Sequence, residues 1–179
     1  AFIARIESVA DHPWRVLIST DSTSMLVIDR PPGDGDAALV AVDLVNRRVS
    51  YRRPLEGDPV DMALVPAIRA LALADRAGGE VRLLSPADGA WVGRFETGGA
   101  PVGVLVGADP DLLAVAVASA EGRGRIDILR LKPDDERIRV RLRKRVELPA
   151  PPVRLAGSPE GAWMAVALED GLLPMLDWR

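Results

Sequence analysis

PPVRLAGSPEGAWMAVALEDG, from Pro151 to Gly171, spells a strand, a tight turn and a second strand. Val153, Leu155 and Ala156 form a short apolar run, Ser158-Pro-Glu-Gly161 is turn chemistry, and Trp163 to Leu168 is a second apolar run. The same pattern occurs three more times, as HPWRVLISTDSTSMLVID, DPVDMALVPAIRALALAD and APVGVLVGADPDLLAVAV. The copies align on Pro13, Pro59, Pro101 and Pro152, at intervals of 46, 42 and 51 residues. Their second strands begin at Met25, Leu71, Leu113 and Met164 and drift by the same three intervals. Two markers that drift together define a repeat, and a period of about 40–50 residues belongs to solenoids, propellers or arrays.

Two further strand-like segments follow each of the first three copies. The third strands are Ala38–Leu44, Glu80–Ser85, Arg125–Leu131 and Leu172–Trp178; the fourth are Arg48–Leu55, Ala90–Thr97 and Arg137–Leu148. AFIARIESVADHP at residues 1–13 matches AWVGRFETGGAP at residues 90–101, so residues 1–8 are a candidate fourth strand for the last repeat. Pro66 to Ala77 is rich in helix formers. The repeat alignment nevertheless assigns Leu71–Asp75 to a strand. Second strands such as LALAD and LAVAV are apolar on both faces, which suits sheets sandwiched between neighbouring sheets.

Four strands per repeat with a turn at each junction make the blade of a β-propeller. On the SPEG turn and the apolar strand after it, the chain resembles YVTN-type and WD-repeat-like propellers. The Trp-Asp dipeptide of the WD family is absent, and Asp177-Trp178 is its reverse. The expected fold is all-β: a β-propeller built from four repeats of four antiparallel strands, in one domain over residues 1–179. Blade 1 covers about 13–55, blade 2 about 59–97 and blade 3 about 101–148. Blade 4 covers about 152–178 and is completed by residues 1–8. The ring is either closed by these four blades, which would remove exposed sheet edges, or part of a larger one completed by missing residues or by another chain, a dimerising half-propeller included.

Composition narrows the functions. The chain is 48% hydrophobic, with mean hydropathy +0.10, which argues against disorder. A net charge of −3 supplies no general attraction for nucleic acid. With no cysteine and one histidine, disulfides, thiolate–metal sites and histidine-ligated zinc or haem are set aside. No apolar run approaches the ~20 residues of a membrane span. Ala1 fits a mature end after signal cleavage, which would place the chain outside the cytoplasm; an N-terminus set otherwise leaves a cytoplasmic protein.

Propeller loops that surround the channel here carry Asp11, His12, Asp34, Asp36, Glu56, Asp58, Glu121, Glu169 and Asp170, against Arg76 and Arg123. An acidic face can receive a cation or a basic partner, although Asp and Gly are also simply good turn formers. Asp34-Gly-Asp36 lacks the full spacing of a calcium loop. Two residues beyond each repeat proline stand Arg15, Asp61, Gly103 and Arg154. Alternation puts them on one side of the innermost strands, so Arg15 and Asp61 should pair between adjacent blades. In a closed four-blade ring Arg154 would adjoin Arg15, a like-charge conflict that favours a larger ring or a bound anion. Arg15, Asp61, Arg154 and His12 are the ligand candidates at the channel mouth.

Arg137-Ile-Arg-Val-Arg-Leu-Arg-Lys-Arg145 alternates basic and apolar residues, giving one strongly positive strand face. That face suits an acidic partner, or guards an outer strand against edge pairing. Asp34, Asp36, Asp58, Arg139, Arg141 and Arg143 are therefore the candidate partner contacts. No nucleophile-elbow motif accompanies His12, so no catalytic residue and no cofactor are assigned. Trp14, Trp91, Trp163 and Trp178 fall at strand positions and are expected in the core or between blades. The favoured function is non-enzymatic: a propeller scaffold presenting loops to a protein partner, self-association included. The alternative is a lactonase-like or quinoprotein-like propeller with a small molecule at the channel mouth.

Overall fold

A computed structural model describes residue 6 and residues 9–33, 35–134, 137–158 and 160–178. The predicted strands that fall among the described residues are present and form four separate antiparallel sheets. Blade 1 holds β1 (Pro13–Ile18), β2 (Ser24–Asp29), β3 (Ala37–Asp43) and β4 (Arg48–Leu55). Blade 2 holds β5 (Pro59–Val65), β6 (Ala70–Asp75), β7 (Glu80–Leu84) and β8 (Trp91–Glu96). Blade 3 holds β9 (Ala100–Val106), β10 (Leu112–Ala118), β11 (Gly124–Asp134) and β12 (Arg137–Leu148). Blade 4 holds β13 (Pro152–Gly157), β14 (Trp163–Leu168) and β15 (Met175–Asp177). Each sheet is a meander of consecutive strands. The helix-rich composition around Pro66 yields only one 3-10 turn, Pro66–Ile68, inside the hairpin that joins β5 to β6. Among the described residues no helix is long and apolar enough to cross a membrane.

The repeat proline marks the same backbone event in every blade. Pairing on the innermost strand steps from Pro13 to Arg15, from Pro59 to Asp61, from Pro101 to Gly103 and from Pro152 to Arg154. The skipped residue is a bulge, which bends the strand and re-aims the side chain that follows. This places Arg15, Asp61, Gly103 and Arg154 at equivalent positions.

Blades stack face to face, and the stacking supplies the core. The face each blade turns towards the next is its leading face; the opposite one is its trailing face. Leu26, Ile28 and Leu39 of blade 1 lead onto Met62, Leu71 and Leu73 of blade 2. Ala70, Ala72, Ala74 and Leu83 of blade 2 lead onto Leu113, Val115 and Val117 of blade 3. Ala114, Ala116 and Ile128 of blade 3 lead onto Met164, Val166 and Leu168 of blade 4. In blades 2 and 3 a row of small alanines admits the bulkier trailing face of the next sheet. With both faces covered, all six residues of β6 are buried, so its sequence could not alternate.

The arc is open. β1 packs on β5, β5 on β9 and β9 on β13, with no comparable contact between β13 and β1. Of the two ring closures considered, the compact four-blade one is therefore not what the chain adopts. The candidate closing strand, residues 1–8, lies outside the described residues apart from Ile6. That residue packs with Val9 and Ala10 against Val27, Val40 and Val42 on the trailing face of blade 1.

The tryptophans depart from expectation. Only Trp178 is buried; Trp14, Trp91 and Trp163 are 52%, 57% and 45% exposed. Trp14 sits on the first bulge, where its Nε1 donates to Val60 O at 3.0 Å. The Arg30 guanidinium lies 5.1 Å from its ring, and Arg82 lies 5.3 Å from that of Trp91. These rings are partly covered by cations rather than by a neighbouring sheet.

Candidate functional site

The expected pair between blades 1 and 2 forms. Arg15 Nε donates to Asp61 Oδ1 at 2.6 Å. The same carboxylate accepts Met62 N at 3.0 Å and, across the next blade boundary, Val104 N at 3.1 Å. Asp61 is 5% exposed, and three donors offset the cost of burying its charge. Gly103 lets β9 come this close: a Cβ there would stand 3.3 Å from Asp61 Oδ2 and 3.5 Å from Leu155. One carboxylate thus ties three innermost strands together.

A second set of carboxylates anchors the loops that lead into the innermost strands. Asp29 ends β2 and accepts His12 N at 2.8 Å and Arg52 Nη2 at 2.5 Å. Burial alone would raise its pKa, but the hydrogen bonds from Arg52 and from the His12 and Asp11 amides outweigh it and hold the carboxyl below its ordinary value. Asp75 ends β6 at the equivalent position and accepts Asp58 N at 2.8 Å, with Arg82 Nη2 at 2.5 Å. Gly57, with φ of +80°, lies against this carboxylate; a Cβ would come within 2.5 Å of it. Asp127, on β11, is clamped by Arg125 at 3.0 Å and Arg145 at 2.6 Å. These buried aspartates were not singled out from sequence. The signal was present, since Asp29 and Asp75 are separated by the same 46 residues as Pro13 and Pro59.

The loop face carries more positive charge than its own acidic residues suggested. Asp58 is held by Arg30 Nη2 at 2.5 Å and Arg76 Nη2 at 2.6 Å. Arg30 and Arg76 line a hollow of about 500 Å³ with His12 and Trp14. Arg15 and Asp61 line a different groove, of about 330 Å³, along the innermost strands. The four channel-mouth candidates therefore do not converge: His12 is in one hollow, Arg15 and Asp61 in another, and Arg154 is exposed without an ion pair to the described residues. Asp36 is exposed and Asp34 lies outside the described residues. Among the described residues no three His, Asp or Glu side chains group as metal ligands.

The other candidates lie on β12, the outer strand of blade 3. Its hairpin with β11 is long, pairing Asp134 with Arg137 at one end and Gly124 with Leu148 at the other. Within it Arg130 stands opposite Arg141, and Lys132 opposite Arg139. Like charges directly across a ladder are destabilising. Asp109 and Asp111 bind Arg130, and Asp134 binds Arg139 at 2.5 Å. Arg141 and Arg143 are exposed and make no ion pair with the described residues. Both line a groove of about 270 Å³ with Lys132 and Arg139. Arg143 and Lys144 also border a larger hollow of about 510 Å³ beside Trp178, between blades 3 and 4.

No protein-family model matches the chain, and no curated protein matches it. Solved structures do. The chain superimposes on hydrazine synthase from Kuenenia stuttgartiensis with a TM-score of 0.71 at 16% identity, over 99% of this chain and 49% of that one. It superimposes on the Cps50 (Swd1) β-propeller domain of Myceliophthora thermophila with a TM-score of 0.63 at 16% identity, over 94% and 52%. A protein of unknown function from Desulfotomaculum acetoxidans gives 0.68 at 17% identity, over 90% and 54%. The chain spans about half the length of these structures. At such identities the likeness shows the fold, an arc of β-propeller blades, and nothing about activity.

Proposed function

We propose that this chain is a non-enzymatic β-propeller binding module, and that its recognition surface is the basic face of β12, which receives an acidic segment of a protein partner. One observation carries the reading: Arg141 faces Arg130 and Arg139 faces Lys132 across the β11–β12 ladder. A strand selected only to guard an edge needs one row of charge. Asp109, Asp111 and Asp134 balance Arg130, Lys132 and Arg139 from within the chain, which leaves Arg141, with Arg143 beside it, as the cations that an anionic partner would offset. The inner carboxylates support the same reading from the other side. Asp29, Asp61, Asp75 and Asp127 are each engaged in an ion pair that holds the scaffold together. None of them is free to act as a general acid or base.

The test uses a fluorescent oligo-glutamate peptide and the full chain, followed by anisotropy at low and moderate salt. Binding should weaken steeply with salt, as for exposed charges, and the Arg141→Glu/Arg143→Glu double variant should lose at least tenfold in affinity. Arg154→Glu, on the inner strand of blade 4, should bind as the parent does. No binding, or equal binding by the double variant and the parent, refutes the proposal.

A further inference from the structure

The junction of blades 1 and 2 lies between two complete four-stranded sheets, and the charges on its loops do not balance. Both blades enter their innermost strands by the same device: Arg30 N donates to His12 O and Arg76 N donates to Asp58 O, each at 2.9 Å. Pro13 stands opposite Asp29 and Pro59 opposite Asp75, so Arg30 is equivalent to Arg76 and His12 to Asp58. Blade 2 is self-contained here, since Arg76 Nε donates to Asp58 Oδ2 at 2.6 Å. In blade 1 the place of that carboxylate is taken by His12, which supplies no negative charge. Arg30 reaches across the junction instead, to Asp58 Oδ1 at 2.5 Å. That contact brings the charges together without the alignment of a hydrogen bond, for Asp58 Oδ1 accepts none among the described residues.

One carboxylate against two guanidiniums leaves a positive charge uncompensated. The Arg30 side chain is only 27% exposed. Among the described residues its guanidinium, with five N–H donors, meets the Asp58 carboxylate and the Trp14 ring and completes no side-chain hydrogen bond. Trp14 is held in place by its own bond to Val60 O at 3.0 Å, and half of its surface is open. Arg30, Arg76, His12 and Trp14 line the same hollow of about 500 Å³, the size of a small-molecule site. No acidic side chain among the described residues lines it; Asp11, beside His12, is exposed outside it. The imbalance is confined to this junction. Blade 3 has Ala100 and Ala118 at the two equivalent places, and blade 4 has Pro151 and Glu169.

We propose that this hollow binds a small aromatic oxyanion. A phosphate or carboxylate group bridges Arg30 and Arg76, supplying the second carboxylate that a symmetric pair of blades would carry, and the flat ring that bears it lies along Trp14. Guanidiniums match such oxyanions in geometry as well as charge. The open surface of the indole supplies apolar contact for the ring, and its fixed orientation lowers the cost of ordering the site. The hollow belongs to a different blade junction from the basic strand β12 and takes a different class of ligand.

Proton–nitrogen NMR on the full chain tests this by following the indole N–H signals of its four tryptophans, that of Trp14 being identified by its loss in Trp14→Phe. Phenyl phosphate or benzoate should shift the Trp14 signal saturably, and inorganic phosphate should bind severalfold more weakly. His12→Asp gives blade 1 the carboxylate that blade 2 already carries, so it should fold, and it should bind at least tenfold more weakly than the parent. Arg76→Gln, at a half-exposed side chain, makes the same test if that variant does not fold. The Arg141→Glu/Arg143→Glu variant should bind as the parent does, so failure of the β12 proposal does not carry over to this one. No saturable shift with either aromatic probe, equal affinity in His12→Asp and the parent, inorganic phosphate bound as tightly as phenyl phosphate, or loss of binding in the β12 variant overturns the proposal.

Discussion

Replacing Asp61 by alanine tests the central structural argument, that one buried carboxylate joins three blades. The substitution removes the acceptor for three donors: Arg15 Nε, Met62 N and Val104 N. Their losses differ. The Arg15 side chain is 31% exposed, so its guanidinium can turn to water and its share is that of a screened pair, about 0.5–1 kcal/mol. The amides of buried Met62 and Val104 have no such recourse. An unsatisfied buried donor costs about 1–3 kcal/mol. Taking about 1.25–1.5 kcal/mol, low in that range, for each amide, Asp61→Ala should destabilise the fold by about 3–4 kcal/mol.

The assay is urea unfolding followed by tryptophan fluorescence, with Arg15→Ala and the double variant alongside. Arg15→Ala should cost about 1 kcal/mol, because the Asp61 carboxylate keeps both amides. The coupling energy between the two sites should be no larger than that, since most of the Asp61 effect lies in backbone groups that Arg15 does not touch. For a chain of this length the loss in Asp61→Ala corresponds to a fall in Tm of very roughly 6–16 °C. An Asp61→Ala variant within about 0.5 kcal/mol of the parent would refute the reasoning. A coupling energy as large as the whole Asp61 effect would instead show that the ion pair, not the backbone, carries the junction.

Asp29 and Tyr51 make the fold sensitive to pH at opposite ends of the scale. The Asp29 carboxyl is held below its ordinary value of 3.8 in the fold, so its contribution is complete above that value and is lost as pH falls through the lowered one. Asp29→Asn should flatten the decline of the urea midpoint in acid, which a titration of that midpoint from neutral pH downwards measures. Tyr51 is the only tyrosine, and burial, with a smaller effect from Asp88, pushes its hydroxyl up to about 12. Its contribution is complete below the ordinary value of 10.0 and is lost as pH rises towards 12. Ultraviolet difference absorbance should show no tyrosinate in the folded chain near pH 10, and Tyr51→Phe, which removes the bond to Pro86 O at 3.0 Å, should cost about 1 kcal/mol.

The blades were legible in sequence because each must meet the same physical demand. A proline before a bulge, a turn, and a second strand that is apolar on both faces recur wherever a sheet is sandwiched. The Arg15–Asp61 pair was legible for a related reason: a repeat places equivalent residues at equivalent heights, so opposite charges on adjacent copies meet. Closure was not legible. Val16 and Met62 occupy equivalent positions and are both apolar, yet one is 57% exposed and the other 6%. What separates them is whether another sheet lies alongside, which local sequence does not encode. The buried aspartates were missed because a single Asp beside a turn reads as turn chemistry. Only its shared spacing with the prolines distinguishes an anchor from an ordinary turn former.

Polar and apolar contacts divide the work of holding the arc. Apolar faces supply the stacking energy, with alanine rows leading in blades 2 and 3 and Leu26, Ile28 and Leu39 leading in blade 1. Taken alone, such non-directional contact sets no register. The staples supply what the faces lack. Asp61 contacts blade 1 through Arg15 and blade 3 through Val104, at one height along the innermost strands, and so fixes their relative register. Asp29 and Asp75 hold the loops entering the same strands at the same height in blades 1 and 2. Blades 3 and 4 have Val117 and Leu168 where blades 1 and 2 carry Asp29 and Asp75, and in blade 3 Arg125 instead bonds the carbonyl of Thr97, just past the outer strand of blade 2. The polar device thus differs from blade to blade. Short connections set the order of the blades, and the staples fix the register that non-directional apolar contact leaves open.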